Sequence, residues 1–310
     1  MRSLLPTLKN VEAARRRISQ RATATPLVSS HSLNQSLGFA VEFKCENLQR
    51  TGSFKFRGAL NAVLRLTPSQ RKQGVVTHSS GNHGAALAAI ARDLDVPATI
   101  VVPRGAMPVK RAAIRRYGAR IVGCGNTLAS REASLEQVRD ETGAHFIPPY
   151  DHPAVIAGQG TTALEIVEQS PEVEEIWVPV GGGGLVSGTI AAVGRRIQVV
   201  GAEPELARDA YDSMRSGVRQ PPLPPRTSAD GLRTALGHLN FEVMNRYALP
   251  IHLVTEAEIG RAQNIAMARL KVVIEPSSAV PLAALLKYGP YRTSTRRVAM
   301  ILSGGNVAMG

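Results

Sequence analysis

A chain of 310 residues is long enough for two lobes, each with a sizeable core, and at 44% hydrophobic and 20% charged residues it reads as globular. No apolar run approaches the ~20 residues of a membrane-spanning helix, and the two cysteines, Cys45 and Cys124, supply neither a disulfide scaffold nor a Cys-rich zinc module, so a reducing, cytoplasmic compartment is expected. Lysine and arginine exceed aspartate and glutamate by 37 − 24 = 13, which invites a basic nucleic-acid-binding reading, but aromatics are only 4% and no basic run is interleaved with stacking side chains, so a solvated basic surface is the plainer one.

In chain order, residues 11–20 read as an amphipathic helix. From residue 41 onward, strand-like and helical segments alternate: VEFKC (41–45), GALNAVLRL (58–66), VVTHS (75–79), GAALAAIARDL (84–94), ATIVVP (98–103), VKRAAIRRYG (109–118) and RIVGCG (120–125). After a loop at 147–153 come a helix at 161–169, a strand at 175–180, a glycine loop, a helix from Leu185 and a strand at 198–204. A Pro-rich stretch, 219–231, predicts an irregular excursion, and the last clear strand is RVAMIL (297–302). This rhythm predicts parallel sheets with helices on their faces.

Loops after these strands carry the chemistry. Gly181, Gly182, Gly183 and Gly184 follow an apolar strand and open a helix, where unpaired amides and the helix dipole favour phosphate; a tight turn is the alternative. Lys55 lies between Phe54 and Phe56, and burial among apolar groups disfavours the ammonium and favours the nucleophilic amine that Schiff-base chemistry needs. Ser79, Ser80, Asn82 and His83 open an Ala-rich helix, a place suited to a carboxylate, although capping alone would explain two of them. In an open α/β sheet, ligands sit outside the carboxyl ends of strands, where all of these loops fall.

The set SFKFRGA (53–59), SSGNHG (79–84), the tetraglycine and SGGN (303–306), in this order and spacing, resembles the fold-type-II pyridoxal-phosphate enzymes, and within them the serine racemase and serine/threonine dehydratase group. HPAVIAGQGT (152–161), ADG (229–231) and IEP (274–276) extend the match over nearly the whole chain. The resemblance implies a two-lobed α/β fold, residues 1–73 and 148–310 forming a large domain and 74–147 a small one, with open, mostly parallel sheets and helices on both faces. Lys55 would hold pyridoxal phosphate covalently, Phe54 would line it, Asn82 would touch the ring hydroxyl, the four glycines would bind the phosphate, and Ser303 would face the ring nitrogen. A neutral hydroxyl there leaves that nitrogen less protonated, which favours elimination over transamination.

The resemblance further implies that the substrate carboxylate docks on the Ser79 to His83 loop while Lys55 removes the α-proton. Ser80, where many dehydratases of this class carry alanine, matches a racemase arrangement in which a hydroxyl protonates Cα from the opposite face; a helix cap is the alternative. Arg131 and Thr234 fall near the distal end of a bound dicarboxylate, and Pro276-Ser277-Ser278-Ala279 is similar to hydroxyaspartate dehydratases. Glu203, Asp209 and the Ala207 carbonyl resemble a divalent-cation loop suited to Mg²⁺ or Ca²⁺, with Arg208 where an acidic residue is usual; a surface turn is the alternative. Ala308 stands where an aspartate is usual, and Arg50, Tyr117 and Lys271 resemble a nucleotide-contacting set at a racemase dimer interface. The expected activity is L-serine and L-threonine dehydration by a homodimer, with racemisation or 3-hydroxyaspartate dehydration as alternatives.

Overall fold

The computed structural model describes residues 5–106, 108–224 and 226–307; Ala308 lies outside them. Ten strands form two sheets: β1 (Leu27–Ser29), β2 (Ala40–Cys45), β3 (Val75–His78), β4 (Ala98–Pro103), β5 (Arg120–Cys124), β6 (His145–Phe146), β7 (Glu175–Pro179), β8 (Gln198–Pro204), β9 (Ile251–Val254) and β10 (Arg297–Leu302). The larger sheet has the order β1-β2-β10-β7-β8-β9, and the smaller the order β5-β4-β3-β6. Every pairing is parallel except β1 with β2 at one edge.

The central strands are continuous apolar runs because both faces are covered. Alternate residues of one strand feed different cores: Val298, Met300 and Leu302 pack with Trp177, Phe43 and the helices Glu256–Leu270 and Pro276–Tyr288, whereas Ala299 and Ile301 pack with Ile176, Val178 and the helix Gly184–Val193. In the smaller sheet, Val75 and Ile100 face Leu87 and Ile90 of the helix Asn82–Asp93, while Val76 and Val101 face Leu135 and Val138 of the helix Leu128–Thr142. Among the described residues no helix is long and apolar enough to cross a membrane.

One helix is longer than the sequence predicts. The helix expected at 161–169 runs over Pro153–Gln169, starting at the last residue of the expected loop and taking in 154–160, to which the sequence assigns no element. Pro153 sits in its first turn, where the missing N–H costs nothing. Its glycines are contact points: a Cβ on Gly158 would lie 2.6 Å from Gly58 Cα, and one on Gly160 would lie 2.5 Å from the Gly188 carbonyl. Backbone-to-backbone packing at Gly58 seats the helix Lys55–Leu64 against it.

A buried ion cluster fixes that same helix. Arg57, 1% exposed, meets Glu46 at 2.8 Å and Glu165 at 2.6 Å, and Lys44 meets Glu165 at 2.7 Å. Two cations face two carboxylates, so removing any one member leaves an uncompensated buried charge, at a cost of about 3–5 kcal/mol.

Candidate active site

Parallel register places several strand ends along one edge, since Leu302 pairs with Cys45, Met300 with Trp177 and Pro179 with Ala202. The loop after β10 is laced to the turn before Lys55: Phe54 N–H donates to the Ser303 carbonyl at 3.1 Å, and Gly305 N–H donates to the Gly52 carbonyl at 3.0 Å. Lys55 Nζ donates to the Pro149 carbonyl at 2.7 Å and lies 5.1 and 5.7 Å from the ring centres of Phe54 and Tyr150. Burial lowers its pKa to about 8, against the opposing pull of the Glu275 charge, so a neutral amine is available near neutral pH.

The tetraglycine is held by its carbonyl side. Gly237 N–H and Asn240 Nδ2 donate to the Gly182 carbonyl at 3.2 and 2.7 Å, while the amides of Gly181, Gly182 and Gly183 meet no acceptor among the described residues. Gly183 has φ +86°, and a Cβ on Gly182 would lie 2.5 Å from the Tyr150 ring, so only glycine fits this course. Thr234 Oγ1, buried and unpartnered, would lie 3.1 Å from a Cβ on Gly181; Thr234 thus belongs beside the glycine loop. Free amides, a spare hydroxyl and a helix N-terminus are groups that could hold a phosphate.

The second loop is also prepared for an anion. The helix Asn82–Asp93 has Gly81 at its N-cap and no side-chain cap, so Ser80 is not spent on capping. The amides of Ser80, Asn82 and His83 meet no acceptor among the described residues. The His83 ring points elsewhere: Nε2 donates to the Ile147 carbonyl at 2.9 Å and Nδ1 is buried without a partner. A carbonyl only accepts, so Nε2 carries the proton, and burial together with the Lys55 charge drives the ring pKa down to about 3. His83 therefore offers a carboxylate its backbone amide, not its imidazole.

Asn82 joins the two sheets. Its Nδ2 donates to both Glu275 oxygens at 3.1 and 3.0 Å, and its Oδ1 accepts from Asn306 Nδ2 at 2.8 Å. Ser303 lies against Ser278, their hydroxyls 3.1 Å apart. Arg131 Nη2 donates to the Asn126 carbonyl at 3.0 Å, and its Nε is buried without a partner.

The acidic loop presents fewer open ligands than its spacing predicts. Glu203 accepts from the amides of Ala210 and Tyr211 at 3.2 and 2.8 Å, Asp209 accepts from the Leu236 amide at 2.8 Å, and Arg208 turns to Asp212. No cluster of three or more His, Cys, Asp or Glu poised for a metal occurs among the described residues. Burial and the charge of Asp209 push Glu203 well above the ordinary carboxylate range, and burial raises Asp209 too. Arg50 is paired with Asp93 and lies over Phe56, Tyr117 lies under Arg92, and Lys271 is the left-handed cap of the helix Glu256–Leu270.

Sequence reasoning leaves several contributors without a role. Tyr150 lies in a stretch that reads as plain loop, yet its ring walls both the glycine loop and Lys55; burial and the Asp151 charge raise its hydroxyl pKa to about 12. Glu275 stands within IEP, a signal to which the sequence alone assigns no chemistry. Asn240, which holds the Gly182 carbonyl, has no local pattern to mark it, and Asn306, which holds Asn82, falls within SGGN but is given no role by it.

Over residues 18–304 the chain matches the family described as "Pyridoxal-phosphate dependent enzyme". It is 42% identical over 306 residues to a beta-hydroxyaspartate dehydratase of Paracoccus denitrificans, covering 98% of this chain and 97% of that one. The structure superposes on a serine racemase from Dictyostelium discoideum with a TM-score of 0.94 at 42% identity, covering 99% and 100% of the two chains. A threonine deaminase from T.th. superposes with a TM-score of 0.92 at 40% identity, covering 98% and 100%. A half-buried lysine and two loops with free amides are compatible with a pyridoxal-phosphate enzyme, and the chain belongs to that family, in the group of its serine racemases and hydroxyaspartate dehydratases.

Proposed function

We propose that the protein is an ammonia-lyase that converts L-serine and L-threonine to a 2-oxo acid and ammonia. The observation that carries this reading is the half-buried Lys55 amine, its pKa lowered by burial to about 8, beside the Tyr150 ring that walls the glycine loop. Gly181 to Gly184 would hold the phosphate, Phe54 would line the ring, Asn82 would meet its hydroxyl and Ser303 its nitrogen. The cofactor, when bound, supplies a sink for the electron pair left on Cα. The amides of Ser80, Asn82 and His83, with the hydroxyl of Ser79, orient the substrate carboxylate. Lys55 Nζ takes the α-proton, the β-hydroxyl leaves with a proton as water, and a second water hydrolyses the imine that results, supplying the oxo oxygen and releasing ammonia. The Ser80 hydroxyl, on the other side, returns a proton to Cα in a competing racemisation.

A second reading is favoured by one observation. The buried, unpartnered Nε of Arg131 is a donor in search of an acid, and a second substrate carboxylate taken from water demands such a cation. A 3-hydroxyaspartate is then the alternative substrate, in keeping with the Paracoccus denitrificans relative. The test is a panel of β-hydroxy amino acids assayed for ammonia and oxo acid, repeated with Arg131→Ala. L-serine and L-threonine are expected to lead in kcat/KM, with little change in the variant. A hydroxyaspartate that leads by orders of magnitude and loses its lead in Arg131→Ala establishes the alternative. Purified protein should show visible absorption that borohydride removes, and a colourless fold that refuses added cofactor overturns both readings.

A divalent cation, Mg²⁺ or Ca²⁺, belongs to the same proposal, held by Glu203, Asp209, the Ala207 carbonyl and water. Two mutually repelling buried carboxyls support it. Chelation should lower the Tm and Mg²⁺ should restore it, because a ligand bound only by the folded state stabilises that state. Indifference of both wild type and Asp209→Ala to chelator returns the loop to a purely structural role. Closure of 74–147 on the remainder, pairing of two chains and a cytoplasmic location complete the proposal. A nucleotide at Arg50 would have to displace Asp93.

A further inference from the structure

Building on the proposed placement of Ser303 at the cofactor's ring nitrogen, we infer that Ser278 is a positioning residue that governs, through the Ser303 hydroxyl, the hydrogen bond offered to that nitrogen. Ser278 is the third residue of the helix Pro276–Tyr288 and is fully buried. Its Oγ makes three contacts: it accepts from Gly304 N–H at 2.8 Å, donates to the Gly304 carbonyl at 2.7 Å and lies 3.1 Å from Ser303 Oγ. Ser303 is 2% exposed, and no other side-chain partner of its hydroxyl is found among the described residues.

Counting protons fixes the consequence. A hydroxyl has one proton to give and two lone pairs. With the Ser278 proton on the Gly304 carbonyl, the Ser278–Ser303 bond uses the Ser303 proton, and while it is made nothing remains for a ring nitrogen. When Ser303 instead donates to the nitrogen, a lone pair of Ser303 still faces Ser278, and Ser278 can turn its proton onto it. That rotation leaves no orphan, because the Gly304 carbonyl also accepts from Glu275 N–H at 3.0 Å. The result is a chain, Ser278 to Ser303 to nitrogen, in which each bond polarises the next. Ser278 is the element that can both compete for the Ser303 proton and reinforce its donation.

The experiment compares wild type, Ser278→Ala, Ser303→Ala and the double variant, by titrating each apoprotein with pyridoxal phosphate and recording the visible spectrum against pH. Ser278→Ala should weaken cofactor binding about 5- to 30-fold, the effect of one to two kcal/mol, and shift the midpoint of the spectral titration. In the Ser303→Ala background, adding Ser278→Ala should change neither quantity further, a dependence that a purely structural serine would not show. Should Ser278→Ala fail to fold, Ser278→Cys keeps the size while weakening the donor and is read in the same way. Wild-type affinity and spectrum in the Ser278 variant, or losses that add in full to those of Ser303→Ala, overturn the inference. Wild type that takes up no cofactor overturns the functional reading instead.

Discussion

Lys55→Ala is expected to lose more than about 10³-fold in turnover, because in the proposed reaction the same amine would capture the cofactor and move the α-proton. His83, whose ring feels the Lys55 charge, is not free to take its place: Nε2 is held by the Ile147 carbonyl and Nδ1 is buried without a partner. Ammonia release measures the loss, and residual activity within a few-fold of wild type refutes the assignment. Wild-type apoprotein adds a pH signature. Only the neutral amine attacks an aldehyde, and burial lowers the Lys55 pKa from the ordinary 10.5 to about 8. The rate of borohydride-trapped capture should therefore rise with pH and level off above about 8, with the label on Lys55. A rise that continues toward pH 10 means that an ordinary surface lysine was trapped.

Ser80→Ala is expected to cut formation of the D-isomer about 10²- to 10⁴-fold, the range for removing a positioned acid or base, while dehydration persists. The difference follows from the proposed reaction: elimination would need one proton mover, Lys55, whereas inversion of Cα would need a second on its other side. In the structure the Ser80 hydroxyl is uncommitted, since the helix it precedes begins without a side-chain cap. Chiral chromatography of serine incubations reads both isomers, and D-serine formed at the wild-type rate assigns the second proton to another group.

The fold was legible where a strand is central. ATIVVP, QVVGAEP and RVAMIL are buried on both faces, so their apolar runs carry the signal without reference to partners, and all three begin and end where the sequence predicts. Edge strands β1, β6 and β9 are two to four residues long and too short to show a period. The helix Leu128–Thr142 escaped because it mixes polar and apolar residues all round, burying only Leu135 and Val138.

At the site, glycines and the lysine announced themselves because their chemistry is rare in such settings. Asn82 was legible as a polar residue at a helix start, but its bonds to Glu275 and Asn306 span 193 and 224 residues and leave no local trace. His83 shows the converse. Its place at a helix start was legible, yet the direction of its ring depends on the carbonyl of Ile147, 64 residues away.

The placement of β10 has a consequence for how the chain is made. All four strands of the smaller sheet lie within residues 75–146, so that sheet can pair as soon as this stretch leaves the ribosome. The larger sheet cannot, because the strand that bridges β2 to β7 is the last of the ten. Arg297 follows Phe146 by 297 − 146 = 151 residues, roughly 8 to 30 s of synthesis at ordinary rates. Throughout that interval β2, and from its own synthesis onward β7, lack the partner that covers one edge of each, and an unpaired apolar edge invites pairing with another chain.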